Sequence, residues 1–224
     1  MERLKDCESL LILQSCNLAI LFNDVSLSFG RHELFKNVSL ELRGGKIIGI
    51  TGANGAGKST FLKLAGKIIR PDSGEVKIIP DQNNCALRIT NYALLAAVSP
   101  EMKIYDGLTA FENLKFFADL RGKNLSAEKI LELGSRVGLD LETFGNVRAE
   151  NFSTGMRQRL KFAILLSVDA DIWLLDEPTA NLDDAGRESF FKEIQAAKSD
   201  KIILLATNDK TEVEICDEVI RLPL

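Results

Sequence analysis

Histidine is nearly absent from this chain, since His32 is the only one among 224 residues. A metal site built on several histidine ligands is therefore excluded, as is a histidine-based catalytic triad completed within the chain. His32 itself follows Gly30 closely, in a predicted turn. We expect it to be a solvated loop residue.

Cysteine is also sparse, and its positions do not suggest pairing. Cys7, Cys16, Cys85 and Cys216 are separated by 9, 69 and 131 residues, and no two of them form a Cys-x-x-Cys motif. Small secreted proteins concentrate their cysteines in disulfide frameworks. The distribution in this chain predicts free thiols in a reducing compartment.

Apolar runs of membrane-spanning length are missing. Runs such as 10–13, 18–22 and 163–166 are short, whereas a membrane-spanning helix needs about 20 apolar residues. Residues 1–16 have a small apolar patch but lack the cleavage pattern of a signal peptide. We expect them to form a short N-terminal extension before a single domain at residues 17–224.

Neither sign of charge dominates. The 28 Lys and Arg residues against 32 Asp and Glu residues give a formal net charge of −4, and 46% of the chain is hydrophobic. These proportions are typical of globular proteins. The mild acidity argues against a broad electrostatic hold on nucleic acid, so no nucleic-acid partner is expected.

The order of predicted elements indicates an α/β fold. Helical periodicity predicts helices at 58–69 and 185–197 and throughout 109–168, where Thr109 and Glu112 fit a capping box and Ser126 fits a second helix start. Strands are predicted at 18–29, 37–42, 46–51, 75–79, 93–98, 172–175, 201–206 and 218–222. This alternation implies a mostly parallel sheet with an inserted helical subdomain at about residues 101–168.

A glycine-rich segment after the strand at 46–51 fits the phosphate-binding pattern G-x-x-x-x-G-K-[ST]. Its backbone N–H groups can turn toward phosphate oxygens, and the helix that starts near Lys58 points its positive end at the same anion. Lys58 supplies a charge to the β- and γ-phosphates, and Ser59 offers a hydroxyl to Mg²⁺. The predicted binding residues are Gly52, Ala53, Asn54, Gly55, Ala56, Gly57, Lys58, Ser59 and Thr60.

Residues 172–178 contain the second element of a nucleotide site. An apolar strand that ends in Asp176 is the metal-side partner of a phosphate loop and holds Mg²⁺ through its waters. Glu177 comes one position later, where a carboxylate can orient and deprotonate an attacking water. Glu177 is therefore the predicted general base, and Asp176 is a predicted metal ligand together with Ser59.

The segment Phe152-Ser153-Thr154-Gly155-Met156 resembles the Leu-Ser-Gly-Gly-Gln signature of the ATP-binding cassette (ABC) ATPases, and the resemblance covers residues 17–222. It implies a P-loop NTPase fold with an N-terminal antiparallel β region, and ATP and Mg²⁺ as ligands. Ser153 starts a predicted helix whose N–H groups can bind an anion. In the family, this segment contacts the γ-phosphate of ATP held by the other monomer.

Other positions of the family pattern can be transferred one by one. Phe29 stands where the family places an aromatic ring that stacks on adenine, and Asp183 belongs to a D-loop that runs between the monomers. Glu101 replaces the usual Q-loop glutamine; it can ligate Mg²⁺ but adds negative charge. Asn208 replaces the switch histidine and can donate one hydrogen bond without a positive charge. The resemblance therefore implies Glu177 and Asn208 as catalytic residues and slow basal hydrolysis.

The resemblance leaves two function classes open. In the first, the chain is the ATP-hydrolysing subunit that energises a membrane transporter by ATP-driven head-to-tail dimerisation, as a homodimer or heterodimer of cassettes. Its partner is then a transmembrane subunit on a separate chain, and the cassette lies on the cytoplasmic face of the membrane. Residues 99–117 and the signature are most similar to bacterial cassettes of the cytochrome c maturation (haem exporter) type.

In the second class, a soluble ABC ATPase acts on a macromolecular complex such as the ribosome or DNA. Those relatives usually carry two cassettes or a long coiled-coil insert, which this sequence lacks. A small-molecule kinase would lack the signature. The aromatic residues of the helical stretch fit either a partner surface or the core of the subdomain; they are Tyr105, Phe111, Phe116 and Phe117.

Overall fold

Two β-sheets and a helical region make up the computed structural model, which describes residues 18–30, 32–79 and 95–224. The expectations for the N-terminal extension and for Cys7, Cys16 and Cys85 fall outside these residues. Cys216 is a half-buried free thiol, and burial together with the nearby acidic residues Glu212 and Asp217 raises its pKa to about 12.

The smaller sheet is antiparallel and has the strand order β2-β1-β4. Its strands are β1 (Ala19–Phe29), β2 (His32–Arg43) and β4 (Ser73–Ile79). Strand β2 begins earlier than predicted because the β1–β2 ladder continues to the pair Phe29–His32. His32 is therefore the exposed first residue of a strand and not the loop residue that we expected.

The larger sheet is parallel and has the order β5-β6-β7-β3-β8. Its strands are β3 (Lys46–Thr51), β5 (Leu95–Val98), β6 (Ile172–Asp176), β7 (Ile202–Ala206) and β8 (Glu218–Arg221). The helices α1 (Lys58–Ala65), α6 (Asp184–Ala197) and α7 (Lys210–Glu214) lie between these strands in the chain. Helix α1 ends before the predicted residue 69 because Gly66 caps it and the chain reverses at Lys67, where φ is 54°.

The inserted helical region consists of α2 (Ala110–Asp119), α3 (Ala127–Arg136), α4 (Leu141–Phe144) and α5 (Thr154–Val168). The predicted capping box is present, because the Thr109 hydroxyl accepts the Glu112 N–H (3.2 Å) and the Glu112 carboxylate accepts the Thr109 N–H (2.8 Å). Ser126 caps α3 through its hydroxyl, which accepts the N–H of Lys129. The polar residues before the helices therefore set where these helices begin.

The parallel sheet separates two apolar cores. Successive side chains of a strand point to opposite faces, so Ile202 and Leu204 of β7 pack toward the antiparallel sheet and α1. Ile203 and Leu205 pack on the other face, toward the helical region. A sheet covered on both faces explains why its central strands are continuous apolar runs. The predicted α/β class with an antiparallel region and a helical insert is confirmed.

The aromatic residues of the insert pack mainly on one another. The Tyr105 ring lies 4.8 Å from that of Phe116 and 6.0 Å from that of Phe117, between ring centroids. Phe111 and Phe117 also pack against the buried core of the helical region, whereas half of Tyr105 is exposed. In the described part of the chain, no helix is both long and apolar enough to cross a bilayer.

Candidate functional site: a phosphate pocket and a separate signature pocket

Most of the predicted nucleotide-binding residues line one pocket at the carboxyl ends of three neighbouring parallel strands, whereas Gly52, Ala53 and Ala56 of the glycine-rich loop are not in its lining. Strand β3 leads into the glycine-rich loop, β6 ends at Asp176, and β7 leads to Asn208. Ligands of open parallel sheets bind at this edge. The pocket, called the phosphate pocket below, measures about 450 Å³ and is lined by Phe29, His32, Leu34, Asn54, Gly55, Gly57, Lys58, Ser59, Thr60, Asp176 and Glu177.

The backbone of the glycine-rich loop directs the start of α1 into the phosphate pocket. The Ala56 N–H donates to the Ala53 carbonyl (3.0 Å), which closes a tight turn. Gly57 then caps α1 with a left-handed φ of 94°, and a Cβ atom there would lie 2.7 Å from Leu34. The first N–H groups of a helix have no partner within the helix. The first N–H groups of α1 are therefore free to bind a ligand in the phosphate pocket. The first turn of α1 contains no acidic residue that would repel an anion there.

Lys58 is held inside the loop. Only 8% of its surface is exposed, and its ammonium donates to the carbonyls of Gly52 (3.0 Å) and Ala53 (3.4 Å). The Asn208 amide completes this arrangement when its nitrogen faces the Gly52 carbonyl (2.7 Å) and its oxygen faces the Lys58 ammonium (3.0 Å). The structure thus brings the switch position into direct contact with the phosphate-loop lysine.

The acidic side of the phosphate pocket is formed by the end of β6. Asp176 is the last residue of the strand and Ser59 is the second residue of α1, and both line the pocket. Glu177 has a left-handed backbone with φ of 47°, and its N–H donates to the carbonyl of Ala206 in β7 (2.9 Å). Such a conformation is rare outside glycine and costs about 1–3 kcal/mol. Glu177 is exposed and lines the pocket.

Glu101 is not among the residues that line the phosphate pocket with Ser59 and Asp176. Its carboxylate accepts a hydrogen bond from the Lys63 ammonium on the outer part of α1 (2.8 Å), and 75% of the side chain is exposed. The hydrogen bond and charge of Lys63 lower the pKa of Glu101. The structure therefore pairs Glu101 with a surface lysine and does not bring it to the predicted metal ligands.

The signature residues do not line the phosphate pocket, although Thr154 lines a third pocket together with Glu177. Ser153 caps α5 by accepting the N–H of Met156 (3.2 Å). A separate pocket, called the signature pocket below, is lined by residues 153–156 together with Asp183. Asp183 also caps α6 through the N–H of Gly186 (2.8 Å) and pairs with Arg159 of α5. The signature pocket and the phosphate pocket have no lining residue in common.

Helix α5, which begins at the signature, also contacts the segment that follows β5. In α5, Arg157 pairs with Asp106, and the Lys161 ammonium donates to the Ser99 carbonyl (3.0 Å). Burial, and to a smaller extent the charge of Arg157, lower the pKa of Lys161. The first turns of α5 therefore fix the position of the segment that follows β5, in addition to presenting the signature.

Comparison with known proteins agrees with this geometry. The ABC transporter family model matches residues 35–180. The chain belongs to the ABC transporter ATP-binding family. It is 31% identical over 97% of its length to a probable ABC transporter ATP-binding/permease protein of Haemophilus influenzae. It is 36% identical over 85% of its length to the uncharacterised ABC transporter ATP-binding protein YdbJ of Bacillus subtilis. It spans 40% of the first protein and 62% of the second.

A solved structure supports the same family at the level of the fold. The dimeric structure of a bacterial ABC transporter cassette superposes with a TM-score of 0.77 at 26% identity, covering 91% of this chain and 94% of that one. The ABC cassette fold therefore accounts for the antiparallel sheet, the parallel core and the helical insert together.

Several residues of the ABC cassette's site gave no signal in the sequence. His32 and Leu34 line the phosphate pocket because the β1–β2 hairpin brings them beside the glycine-rich loop. Gln158 and Glu212 are buried polar residues that contact the loop after β6. A polar residue next to a known motif, as Gln158 is, could have been singled out, whereas Glu212 lies in a polar run that looks like a solvated surface.

The residues of the phosphate pocket fit a magnesium ion. Ser59 and Asp176 provide a hydroxyl and a carboxylate oxygen on the same pocket. Mg²⁺ prefers one or two such oxygen ligands and completes its shell with water and substrate phosphates. The described residues contain no group of three or more His, Cys, Asp or Glu side chains that could hold a metal. When bound, the ion would neutralise charge on the β- and γ-phosphates.

Proposed function

We propose that this ABC cassette binds and hydrolyses Mg²⁺–ATP and, by ATP-driven head-to-tail dimerisation, energises a transmembrane transporter subunit. The phosphate loop would bind the phosphates through its N–H groups and through Lys58. Phe29, which is exposed at the rim of the phosphate pocket, would stack on the adenine. Ser59 and Asp176 would hold the metal ion.

Glu177 is the residue that we assign as general base. It is the exposed carboxylate of the phosphate pocket, and it can accept the proton of a water that attacks the γ-phosphate. Asn208 would donate a hydrogen bond from its amide nitrogen to that phosphate in place of its contact with the Gly52 carbonyl. Transferring phosphoryl groups are stabilised mainly by such positioned charges and donors.

The observation that carries the dimer proposal is the separation of the two pockets. The signature residues Ser153, Thr154, Gly155 and Met156 form an open helix start, yet they share no pocket with the phosphate loop of the same chain. A twofold arrangement of two copies would place each signature pocket over the partner's phosphate pocket. Asp183 lines the signature pocket and would lie near the interface.

The variant Glu177→Gln tests this function. It keeps Asp176 and the shape of the side chain but removes the base, so ATP should remain bound and hold two copies together. Size-exclusion chromatography with Mg²⁺–ATP should show a dimer, and hydrolysis should be lost. Glu128→Gln, an exposed residue of α3, is the control and should behave like the wild type. A monomer with ATP demonstrably bound, or unchanged hydrolysis, would contradict the proposal.

The nature of the transport partner is a further part of the proposal. Co-purification with membranes only when a transmembrane subunit is co-expressed would support a transporter cassette at the cytoplasmic face. Binding to ribosomes or DNA without membranes would favour the non-transport alternative. The haem-export assignment depends on the resemblance of residues 99–117 and of the signature segment, and the names of the relatives reported above give it no support.

A further inference from the structure

The two residues that follow Glu177 are each held by one buried polar side chain. The Gln158 amide donates to the Pro178 carbonyl (2.5 Å). The Glu212 carboxylate accepts both the N–H (3.2 Å) and the hydroxyl (2.5 Å) of Thr179 through one oxygen. Gln158 is 8% exposed, Glu212 2% and Thr179 1%. Residues 177–179 are therefore fixed by contacts that solvent does not reach.

These two contacts come from two different helices. Gln158 belongs to α5, the helix that starts at the signature, whereas Glu212 belongs to α7, the helix that starts just after Asn208. The loop that carries Glu177 is thus bonded to the signature helix on one side and to the switch helix on the other. A shift of either helix would be transmitted to the backbone next to the general base.

The burial of Glu212 at this position carries a free-energy cost. Its second carboxylate oxygen is buried and has no hydrogen-bond partner within the described residues. The cation that its charge influences is Arg187, which pairs with Asp209 at the start of α7. Removing a carboxylate from water without full compensation costs several kcal/mol. An apolar side chain would pack α7 without that cost, so packing alone does not account for Glu212.

The backbone of Glu177 itself needs such support. Its left-handed conformation is unfavourable for a glutamate and persists only where the surrounding structure holds it. The hydrogen bond from the Glu177 N–H to the Ala206 carbonyl holds the backbone at Glu177 itself. The contacts at Pro178 and Thr179 hold the backbone that follows it. A displacement of about 1 Å of a reacting group can reduce a rate about 10²-fold.

We propose that Gln158 and Glu212 are positioning residues that hold the Glu177 carboxylate in its orientation toward the phosphate pocket. Through them, hydrolysis depends on both the signature helix α5 and the switch helix α7. The inference rests on the proposed function, in which Glu177 is the general base. Neither residue touches the nucleotide in this account, so ATP binding does not depend on them.

The substitution Thr179→Val tests the Glu212 contact with little change in volume. It removes the hydroxyl that bonds Glu212, and Thr179→Ser restores it. We expect kcat to fall about tenfold to a hundredfold in Thr179→Val, with the dissociation constant of Mg²⁺–ATP changed less than twofold, and to recover in Thr179→Ser. Glu212→Leu and Gln158→Leu, which remove the acceptor and the donor, should show the same loss of kcat with retained affinity.

Two further variants make the outcome decisive. Ser167→Ala removes another buried hydroxyl bond, the one to Ile164 within α5 (2.7 Å), and should leave kcat unchanged. Glu177→Gln is assayed alongside: if it hydrolyses ATP normally, the proposed function fails. If Glu177→Gln is inactive while the Thr179, Glu212 and Gln158 variants keep wild-type kcat, the positioning role is overturned. It is also overturned if kcat, affinity and melting temperature fall together, because that is the result of a purely structural role.

Discussion

The side-chain amide of Asn208 lies 2.9 Å from that of Asn54, across 154 residues of sequence. Asn54 belongs to the phosphate loop and Asn208 to the loop after β7, so this contact joins the switch position to the phosphate-binding backbone. In the alternative orientation of the Asn208 amide, its nitrogen faces the Gly52 carbonyl and its oxygen faces the Lys58 ammonium instead. Asn208 is therefore well placed to influence the γ-phosphate, but it brings a neutral amide where a cation would stabilise developing charge.

Replacement of Asn208 by histidine should accelerate hydrolysis. A histidine can carry a positive charge, and charge near the phosphoryl group matters most in the transition state. We expect Asn208→His to raise kcat by about 10²-fold or less and to change KM less, as measured by steady-state ATPase kinetics. A kcat that stays flat or falls would show that Asn208 does not limit turnover.

The exposed Glu101 offers a comparison in the same assay. Its charge is already paired with Lys63, and exposed ion pairs of this kind contribute little. Glu101→Gln should therefore raise kcat by less than Asn208→His does. A larger effect at Glu101 would indicate that its carboxylate turns into the phosphate pocket during turnover.

Substitution of Lys58 should abolish nucleotide binding without unfolding the chain. Lys58→Ala removes the cation that the proposed function assigns to the β- and γ-phosphates, and hydrogen bonds to charged groups contribute about 1.5–3 kcal/mol each. We expect the affinity for Mg²⁺–ATP in a calorimetric titration to fall at least about tenfold, with an unchanged far-ultraviolet spectrum. Lys36→Ala, an exposed lysine of β2, is the control. Unchanged affinity in Lys58→Ala would refute the assignment of the phosphate pocket.

The local parts of the site could be predicted from the sequence because they depend on residues that are neighbours in the chain. The strand Lys46–Thr51 and the loop up to Lys58 follow from an apolar run and from glycines that the backbone geometry requires. The helix starts at Thr109 and Ser126 follow from side chains that cap the next turn. Each of these signals involves residues only a few positions apart.

The parts that could not be predicted depend on distant contacts. Gln158 contacts Pro178, which lies 20 residues away, and Glu212 contacts Thr179, which lies 33 residues away. Nothing in the sequence around Gln158 or Glu212 indicates that these polar side chains are buried. The family resemblance implies Glu101 as a Mg²⁺ ligand at the Q-loop position. In the folded chain Lys63 competes for that carboxylate from the outer face of α1. The spacing of residues in the sequence does not predict the side-chain orientation that decides whether Glu101 bonds Lys63 or a metal ion.

Stability toward acid should depend on Asp209. Hydrogen bonds from Thr211 and then Arg187 lower its pKa to about 2. A depressed carboxyl pKa adds stability above the ordinary pKa near 4, and this contribution is lost as the pH falls from about 4 to 2. Because the pair is about one third exposed, we expect solvent screening to limit the contribution to about 1 kcal/mol. Urea unfolding of Asp209→Asn should give a lower free energy of unfolding at pH 7 and a smaller loss between pH 4 and pH 2. If Asp209→Asn lost as much unfolding free energy between pH 4 and pH 2 as the wild type does, this role would be contradicted.

Mixing two inactive variants should test the head-to-tail arrangement directly. Lys58→Ala disables the phosphate loop. Gly155→Asp adds a carboxylate at the start of α5, where it suits the helix end but repels the γ-phosphate of the partner's nucleotide. If each site joins one phosphate loop to the opposite signature, neither variant alone should hydrolyse ATP. A mixed dimer, however, regains one site in which both halves are intact.

The size of the recovery follows from the symmetry of the dimer. Random pairing of equal amounts makes half of the dimers mixed, and each has one working site of two, so we expect about one quarter of wild-type activity. Affinity tags of two kinds on the two variants allow the mixed dimers to be isolated before the ATPase assay. A site completed within one chain could not be restored by a partner that lacks Lys58. Mixed dimers without activity would therefore contradict independent composite sites, whereas recovery requires that Gly155 of one copy serves the phosphate pocket of the other.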